Sequence, residues 1–201
     1  MGSETNPEIY LASHSPRRRE RLQQIGLPYA PLDVSVDETY HEGESPEVFV
    51  IRLALQKARA GWSSLNGNAE CPVLGADTIV VLDEKPMGKP ANKEEAVAML
   101  EALSGIEHQV YTGVALVGDR EATRLSVNRV RFRELSELDI ERYWLSGEPL
   151  GKAGGYAIQG RAGVFVEHLE GSYSGVMGLP LFETADLLDE FSIDYCLHWV
   201  D

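Results

Sequence analysis

Ile9-Tyr10-Leu11-Ala12-Ser13-His14-Ser15-Pro16-Arg17-Arg18-Arg19 is the stretch whose reading decides the fold: a short strand-forming run passes straight into hydroxyls, a proline and three cations. Pro16 suits the first position of a helix, where the N–H that proline lacks has no intrahelical partner anyway. A strand that gives way at once to a helix opens a chain of alternating elements, which indicates an α/β or α+β fold and not a repeat array. The same junction predicts an anion site, because the N–H groups of a first helical turn offer donors and a partial positive charge, and Ser13 and Ser15 add short hydroxyl donors. The plain alternative is that Ser15 only caps the helix and the arginines form a solvated face.

The alternation continues outward from that junction. Gly26 stops the first helix, and Ser45-Pro46-Glu47 starts another, whose Val48, Ile51, Leu55 and Ala58 mark an apolar stripe running toward Gly61 and place Lys57 on a helix. Ser63 to Glu70 reads as a surface connection before a strand over Val73 to Leu82. Asn92 opens a third helix, with Ala96, Val97, Leu100 and Leu103 on its buried face and Gly105 at its end. Strands are expected at Val110 to Val117 and Arg124 to Phe132, as an antiparallel pair reversing near Asp119 and Arg120, with a bulge near Asn128. Ser136-Glu137-Leu138-Asp139 starts a helix, Pro180 a last one, and a glycine-rich stretch from Gly147 to Gly178 lies between.

The chain has 201 residues, 43% of them hydrophobic, which predicts one compact domain over 8–201 behind a flexible N-terminus, 1–7. With 18 basic against 32 acidic side chains the formal charge is -14. That balance argues against nucleic-acid or anionic-membrane binding through bulk electrostatics, so a phosphate ligand must be met locally. A divalent cation would help by screening ligand charge. Cys71 and Cys196 form no metal or redox motif, and no stretch approaches the roughly 20 apolar residues that span a bilayer. A reduced, cytoplasmic setting without membrane partners is the expectation.

Three positions suggest chemistry. Asp77 is a carboxylate in the middle of an apolar strand, a placement that costs free energy unless the group is paired, hydrogen-bonded or metal-bound; its alternative role is to end the strand and cap a turn. Glu38 is a possible companion, since two separated carboxylates can hold Mg²⁺ against a triphosphate, although Asp37-Glu38-Thr39 also reads as a polar loop. Gln159, between glycines in Gly154-Gly155-Tyr156-Ala157-Ile158-Gln159-Gly160, offers one acceptor and two donors that match a uracil or thymine edge; its alternative role is a loop hydrogen bond. Gly147-Glu148-Pro149-Leu150-Gly151-Lys152-Ala153 falls one residue short of a P-loop and has alanine where Ser or Thr should hold Mg²⁺, which excludes that reading.

Taken in order, Ser13 to Arg18, Asp37-Glu38, Lys57-Ala58, Gly75-Ala76-Asp77-Thr78, Gly88-Lys89-Pro90, Tyr111-Thr112-Gly113, Lys152-Ala153-Gly154, Ile158-Gln159-Gly160 and Val176 to Pro180 resemble the motifs of the Maf family of nucleotide pyrophosphatases. The resemblance covers nearly the whole chain. It implies an α/β protein with a central mixed sheet flanked by helices, two lobes around a cleft similar to the inosine-triphosphate pyrophosphatase architecture, and a homodimer. It implies hydrolysis of a nucleoside triphosphate to the monophosphate and pyrophosphate with Mg²⁺ or Mn²⁺. Asp77 matches the family's proposed proton acceptor and, with Glu38, would hold the metal. Ser13 would position a phosphate oxygen, while Arg17, Arg18, Lys57 and Lys89 would neutralise phosphate charge. Arg17, Thr78 and Gln159 match the branch that acts on dTTP and UTP; the 7-methyl-GTP branch tends to carry Trp, Gln and Glu there. Modified pyrimidine triphosphates are the nearest rival substrates. Gly151 departs from relatives that often carry aspartate there, and His14 is given no role. The family name is also tied to septum formation, so the alternative function is a nucleotide-binding regulator of cell division without significant catalysis.

Overall fold

The computed structural model describes residues 6–66, 70–197 and 199. Residues 1–5 of the expected N-terminal tail, residues 67–69 of the Ser63–Glu70 connection and His198 lie outside them. Among the described residues, seven strands form one mixed sheet: β1 (Ile9–Ala12), β2 (Tyr29–Leu32), β3 (Val73–Leu82), β4 (Lys85–Met87), β5 (Glu107–Val117), β6 (Glu121–Phe132) and β7 (Val166–Glu170). The order is β2-β1-β3-β5-β6-β7, with β4 paired to β3. β1 lies parallel to both β2 and β3, with Ile9 opposite Tyr29 and Ala12 opposite Gly75. β4 and β7 run antiparallel to β3 and β6 respectively. Only Gly118, Asp119 and Arg120 separate β5 from β6, a connection short enough for an antiparallel hairpin alone.

Six helices accompany the strands among the described residues: α1 (Pro16–Gln24), α2 (Pro46–Ser64), α3 (Lys93–Leu103), α4 (Glu137–Leu145), the single turn α5 (Tyr173–Val176) and α6 (Leu181–Glu190). Their starts follow local chemistry. Ser45 Oγ accepts from Val48 N at 3.4 Å, Asn92 Oδ1 from Glu95 N at 2.9 Å, and Ser136 and Asp139 form a reciprocal capping box. Gly26 and Gly105 follow α1 and α3 at φ 69° and 70°, the left-handed conformation that favours glycine at a helix end.

The chain divides into two compact units. The described residues up to Asp77, with Thr112–Ser126 and those from Gly178 onward, form the first; Thr78–Tyr111 and Val127–Met177 form the second. The first packs Ile9, Leu11, Leu22, Leu74, Val114, Leu116, Leu179, Leu187 and Leu188 into its core. The second is built on Val80, Leu100, Leu103, Val130, Phe132, Ile140, Tyr143, Tyr156 and Phe165.

Two local expectations are corrected. The buried face of α2 is Phe49, Val50, Leu53, Ala54, Ala58 and Gly61, while Val48 is 56% exposed. Apolar residues occur on both faces of this helix, so periodicity did not choose between them; the small residues Ala54, Ala58 and Gly61 mark the side that meets the sheet. In β6 burial alternates without a break through Ser126, Asn128, Val130 and Phe132, and the register irregularity falls against β7 between Arg131 and Phe132. Two polar residues stand on the inward face, and their polarity disguised the period. Asn128 is satisfied there, donating from Nδ2 to Val110 O at 3.2 Å and accepting from Ser172 N at 2.6 Å.

Candidate active site

Three glycines bring α2 down onto the sheet of the first unit. A Cβ at Gly75 of β3 would meet the Ala54 carbonyl oxygen and stand 2.7 Å from Ala58 N, and one at Gly113 of β5 would stand 2.6 Å from Val50 O. On the helix itself, a Cβ at Gly61 would stand 2.8 Å from Val73 Cγ1. With no side chains between them, helix and strands touch backbone to backbone. Lys57 is one turn along from Leu53 and Ala54 on the same buried face, so its ammonium is delivered to β3 instead of solvent.

There it meets Asp77. Lys57 Nζ donates to Asp77 Oδ1 at 2.7 Å and lies 2.6 Å from Glu38 Oε1. The side chains of Lys57 and Asp77 are 13% and 11% exposed, that of Glu38 44%. The carboxylate that looked costly in an apolar strand is paid for by an ion pair. Breaking such a buried pair by removing one partner costs about 3–5 kcal/mol, because the other charge is left stranded.

Glu38 owes its position to a braced loop. Asp37 Oδ1 accepts from Thr39 N at 2.9 Å and Thr39 Oγ1 at 2.5 Å, and these bonds hold the Asp37 carboxyl below the usual carboxylate range. Arg52 of α2 clamps Glu44 with a two-pronged guanidinium, 2.6 and 2.7 Å, and donates to Thr39 O at 3.0 Å. The Arg52 clamp had no signature in the sequence. Gly75 did, because an isolated glycine inside a strand signals close backbone approach.

At the β1–α1 junction, Ser15 occupies the cap position but makes no side-chain cap bond; its own N–H donates to Ser13 Oγ at 3.2 Å. The alternative in which the Ser15 hydroxyl simply caps the helix is therefore not the arrangement found. Ser13 is buried, and its Oγ also receives Arg18 Nη1 at 3.1 Å, while Arg18 Nε donates to Gly178 O at 2.7 Å. Burial pulls the Arg18 pKa below its ordinary value, with Asp77 and Glu38 opposing and neighbouring Arg17 adding to the fall. Ser13, Arg17, Arg18, Glu38, Lys57 and Asp77 thus fall within one electrostatic neighbourhood of the first unit.

The remaining candidates belong to the second unit. Thr78 follows Asp77 in β3 and is half-buried, and Lys89 is exposed. Gly154 N donates to Gly88 O at 3.0 Å, which ties the Gly88-Lys89-Pro90 segment to the Lys152-Ala153-Gly154 turn. Gly154 has φ 64°, and a Cβ there would stand 2.8 Å from Val80 Cγ2. Gln159 lies in a turn closed by Gly160 N donating to Ala157 O at 3.0 Å.

The donor set suits a hard divalent cation. Two carboxylates converge on the Lys57 ammonium, and Mg²⁺ is commonly held by one or two carboxylates together with substrate phosphates. Among the described residues no group of three His, Cys, Asp or Glu side chains is placed to cage a metal alone. Cys71 and Cys196 are both free thiols, and none of the described helices is long and apolar enough to cross a membrane.

Comparison with known proteins places these features in context. The family model described as Maf-like protein matches residues 8–191. A dTTP/UTP pyrophosphatase of Alkalilimnicola ehrlichii is 66% identical over 202 residues, covering 99% of this chain and all of that protein. One from Pseudoalteromonas atlantica is 51% identical over 187 residues, covering 92% and 97%. Among solved structures, the Staphylococcus aureus Ham1 protein aligns with a TM-score of 0.49 at 15% identity, over 92% of this chain and 97% of that one.

Proposed function

The chain belongs to the Maf-like protein family, and from that premise we propose that it hydrolyses dTTP and UTP to the nucleoside monophosphate and pyrophosphate. The observation that carries the reading is Asp77, joined with Glu38 to Lys57, in a chain 66% identical over 99% of its length to a dTTP/UTP pyrophosphatase. Asp77 accepts a proton from the attacking water; the water oxygen bonds to the α-phosphorus, the bridge from α- to β-phosphate breaks, and pyrophosphate leaves. Arg18, fixed by Ser13 and Gly178, and Lys57 face the charge that develops on the phosphates, with Arg17 and Lys89 adding to it. Ser13 positions a phosphate oxygen, while Thr78 and Gln159 select the pyrimidine. Mg²⁺ or Mn²⁺ held by Asp77 and Glu38 would supply charge neutralisation and a more acidic water. The family resemblance supports a homodimer, which sedimentation at micromolar concentration would test, and the free thiols suit a reducing, cytoplasmic setting.

The experiment is pyrophosphate release from dTTP, UTP, CTP, 7-methyl-GTP and ITP, with and without Mg²⁺, beside Asp77→Asn. Metal-dependent cleavage of dTTP and UTP is expected, with kcat lowered about 10²–10⁴-fold in the variant, the usual worth of a general base. Binding of triphosphate without cleavage by the wild type would move the chain to the regulator class.

A further inference from the structure

The turn that carries Gln159 is gripped by the carboxylate of Glu148. Glu148 Oε2 accepts from Arg161 N at 3.0 Å, and Oε1 accepts from Ala162 N at 3.3 Å and from the Tyr143 hydroxyl at 2.9 Å. That hydroxyl in turn accepts from Ala157 N at 3.1 Å. Backbone N–H groups on both sides of Gln159 therefore end, directly or through Tyr143, on the same side chain. The fit is close: a Cβ at Gly160 would fall 2.5 Å from the Glu148 Cδ atom, so only glycine admits the carboxylate there. The Glu148 side chain is 16% exposed. Burial pushes its carboxyl up, but the Arg161 N–H, the Tyr143 hydroxyl and the Ala162 N–H outweigh that and hold it below the ordinary value.

We propose that Glu148 is a specificity-positioning residue, which fixes the backbone of the Ala157–Gly160 turn so that the Gln159 amide meets a uracil or thymine edge in register. The inference rests on the reading of Gln159 as the residue that selects the pyrimidine. An amide offers both a donor and an acceptor and can rotate, so by itself it discriminates uracil from cytosine weakly. Discrimination needs its Cα held still, because a site rejects the wrong pattern strongly only when its polar groups cannot shift to pair with it. An ionised carboxylate receiving three donors is a suitable brace, since hydrogen bonds to a charged group are about twice as strong as neutral ones.

The test is the ratio of kcat/KM for UTP to that for CTP in wild type, Glu148→Gln, Tyr143→Phe and Gln159→Ala, and in both brace variants combined with Gln159→Ala. Glu148→Gln keeps the shape but turns an NH₂ toward N–H donors. It is expected to lower the ratio about tenfold, through KM more than kcat. Tyr143→Phe removes the hydroxyl that joins Ala157 N to Glu148 while leaving the Arg161 and Ala162 N–H bonds to the carboxylate, and should lower the ratio about threefold; its ring keeps its edge-on contact with Phe165 at 5.2 Å. In the Gln159→Ala background neither change should move the ratio further, which a general structural defect would not reproduce. If circular dichroism shows that Glu148→Gln does not fold, Tyr143→Phe carries the same comparison. An unchanged ratio in the folded variant, or an equal fall without Gln159, overturns the proposal. A wild type that cleaves triphosphates with no preference for UTP over CTP sinks the reading of Gln159, and the proposal with it.

Discussion

His108 is 2% exposed, its ring edge-on to Phe132 at 5.1 Å and to Tyr156 at 5.5 Å, with Nε2 2.9 Å from the Tyr156 hydroxyl. Burial pushes its pKa down to about 4, with the Ile106 backbone opposing. An unfolded chain titrates histidine near ~6.5, so between the two values the unfolded state holds the extra proton and stability rises with pH. The contribution is complete above about pH 6.5, lost as the pH falls toward 4, and worth at most about 3 kcal/mol. Denaturant unfolding of wild type and His108→Gln should show a stability gap at pH 7 that narrows by about 2 kcal/mol at pH 4.5. A gap independent of pH would mean that His108 does not titrate differently on unfolding. Asp77 announced itself in the sequence because a charge stood in an apolar run. His108 and Glu148 did not: His108 meets a partner 48 residues away, and a lone histidine or glutamate carries no sign of such a pairing.

At the level of elements, local chemistry was the legible part. β1 and β3 have the bounds their apolar runs suggested, and the caps at Ser45, Asn92 and Ser136 are where hydroxyl and amide side chains precede apolar periods. The Gly147–Gly178 stretch was less so. It holds two 3-10 turns, β7 and α5, short pieces fixed by tertiary contacts such as the Glu148 brace and not by any period. The buried face of α2 differs from the one its apolar stripe suggests for a related reason: what selects it is the absence of side chains at Gly75 and Gly113, a property of the strands it covers. Gly75→Ala tests that dependence. Its methyl meets backbone atoms of Ala54 and Ala58, which cannot swing aside as a side-chain tip would. Overpacking of this kind costs about 1–3 kcal/mol, a fall in Tm of about 2–4 °C per kcal/mol for a chain of this size. Because lifting α2 also draws Lys57 from Asp77, turnover should fall more steeply than stability at 25 °C. A melting curve and turnover number both unchanged would show that helix and strand are not in backbone contact.

The whole molecule sets the terms on which a polyanion approaches. A formal charge of -14 surrounds a neighbourhood whose cations Arg18 and Lys57 are partly engaged by Asp77 and Glu38, with Arg17 beside Arg18. Two fields of opposite sign therefore act on a triphosphate at different ranges. The repulsion of the whole surface acts at long distance and is the first to be screened, since the Debye length shrinks from about 30 Å at 0.01 M salt to about 8 Å at 0.15 M. The attraction of half-buried side chains acts at contact, where salt screens much less. Raising KCl across that interval at fixed, saturating Mg²⁺ is thus expected to lower KM for dTTP about two- to threefold and leave kcat unchanged, because encounter is eased and the bound state is not altered. A steady rise of KM with salt would mean instead that the local cations govern encounter as well as binding, and that the net charge of the chain has little reach into its own site.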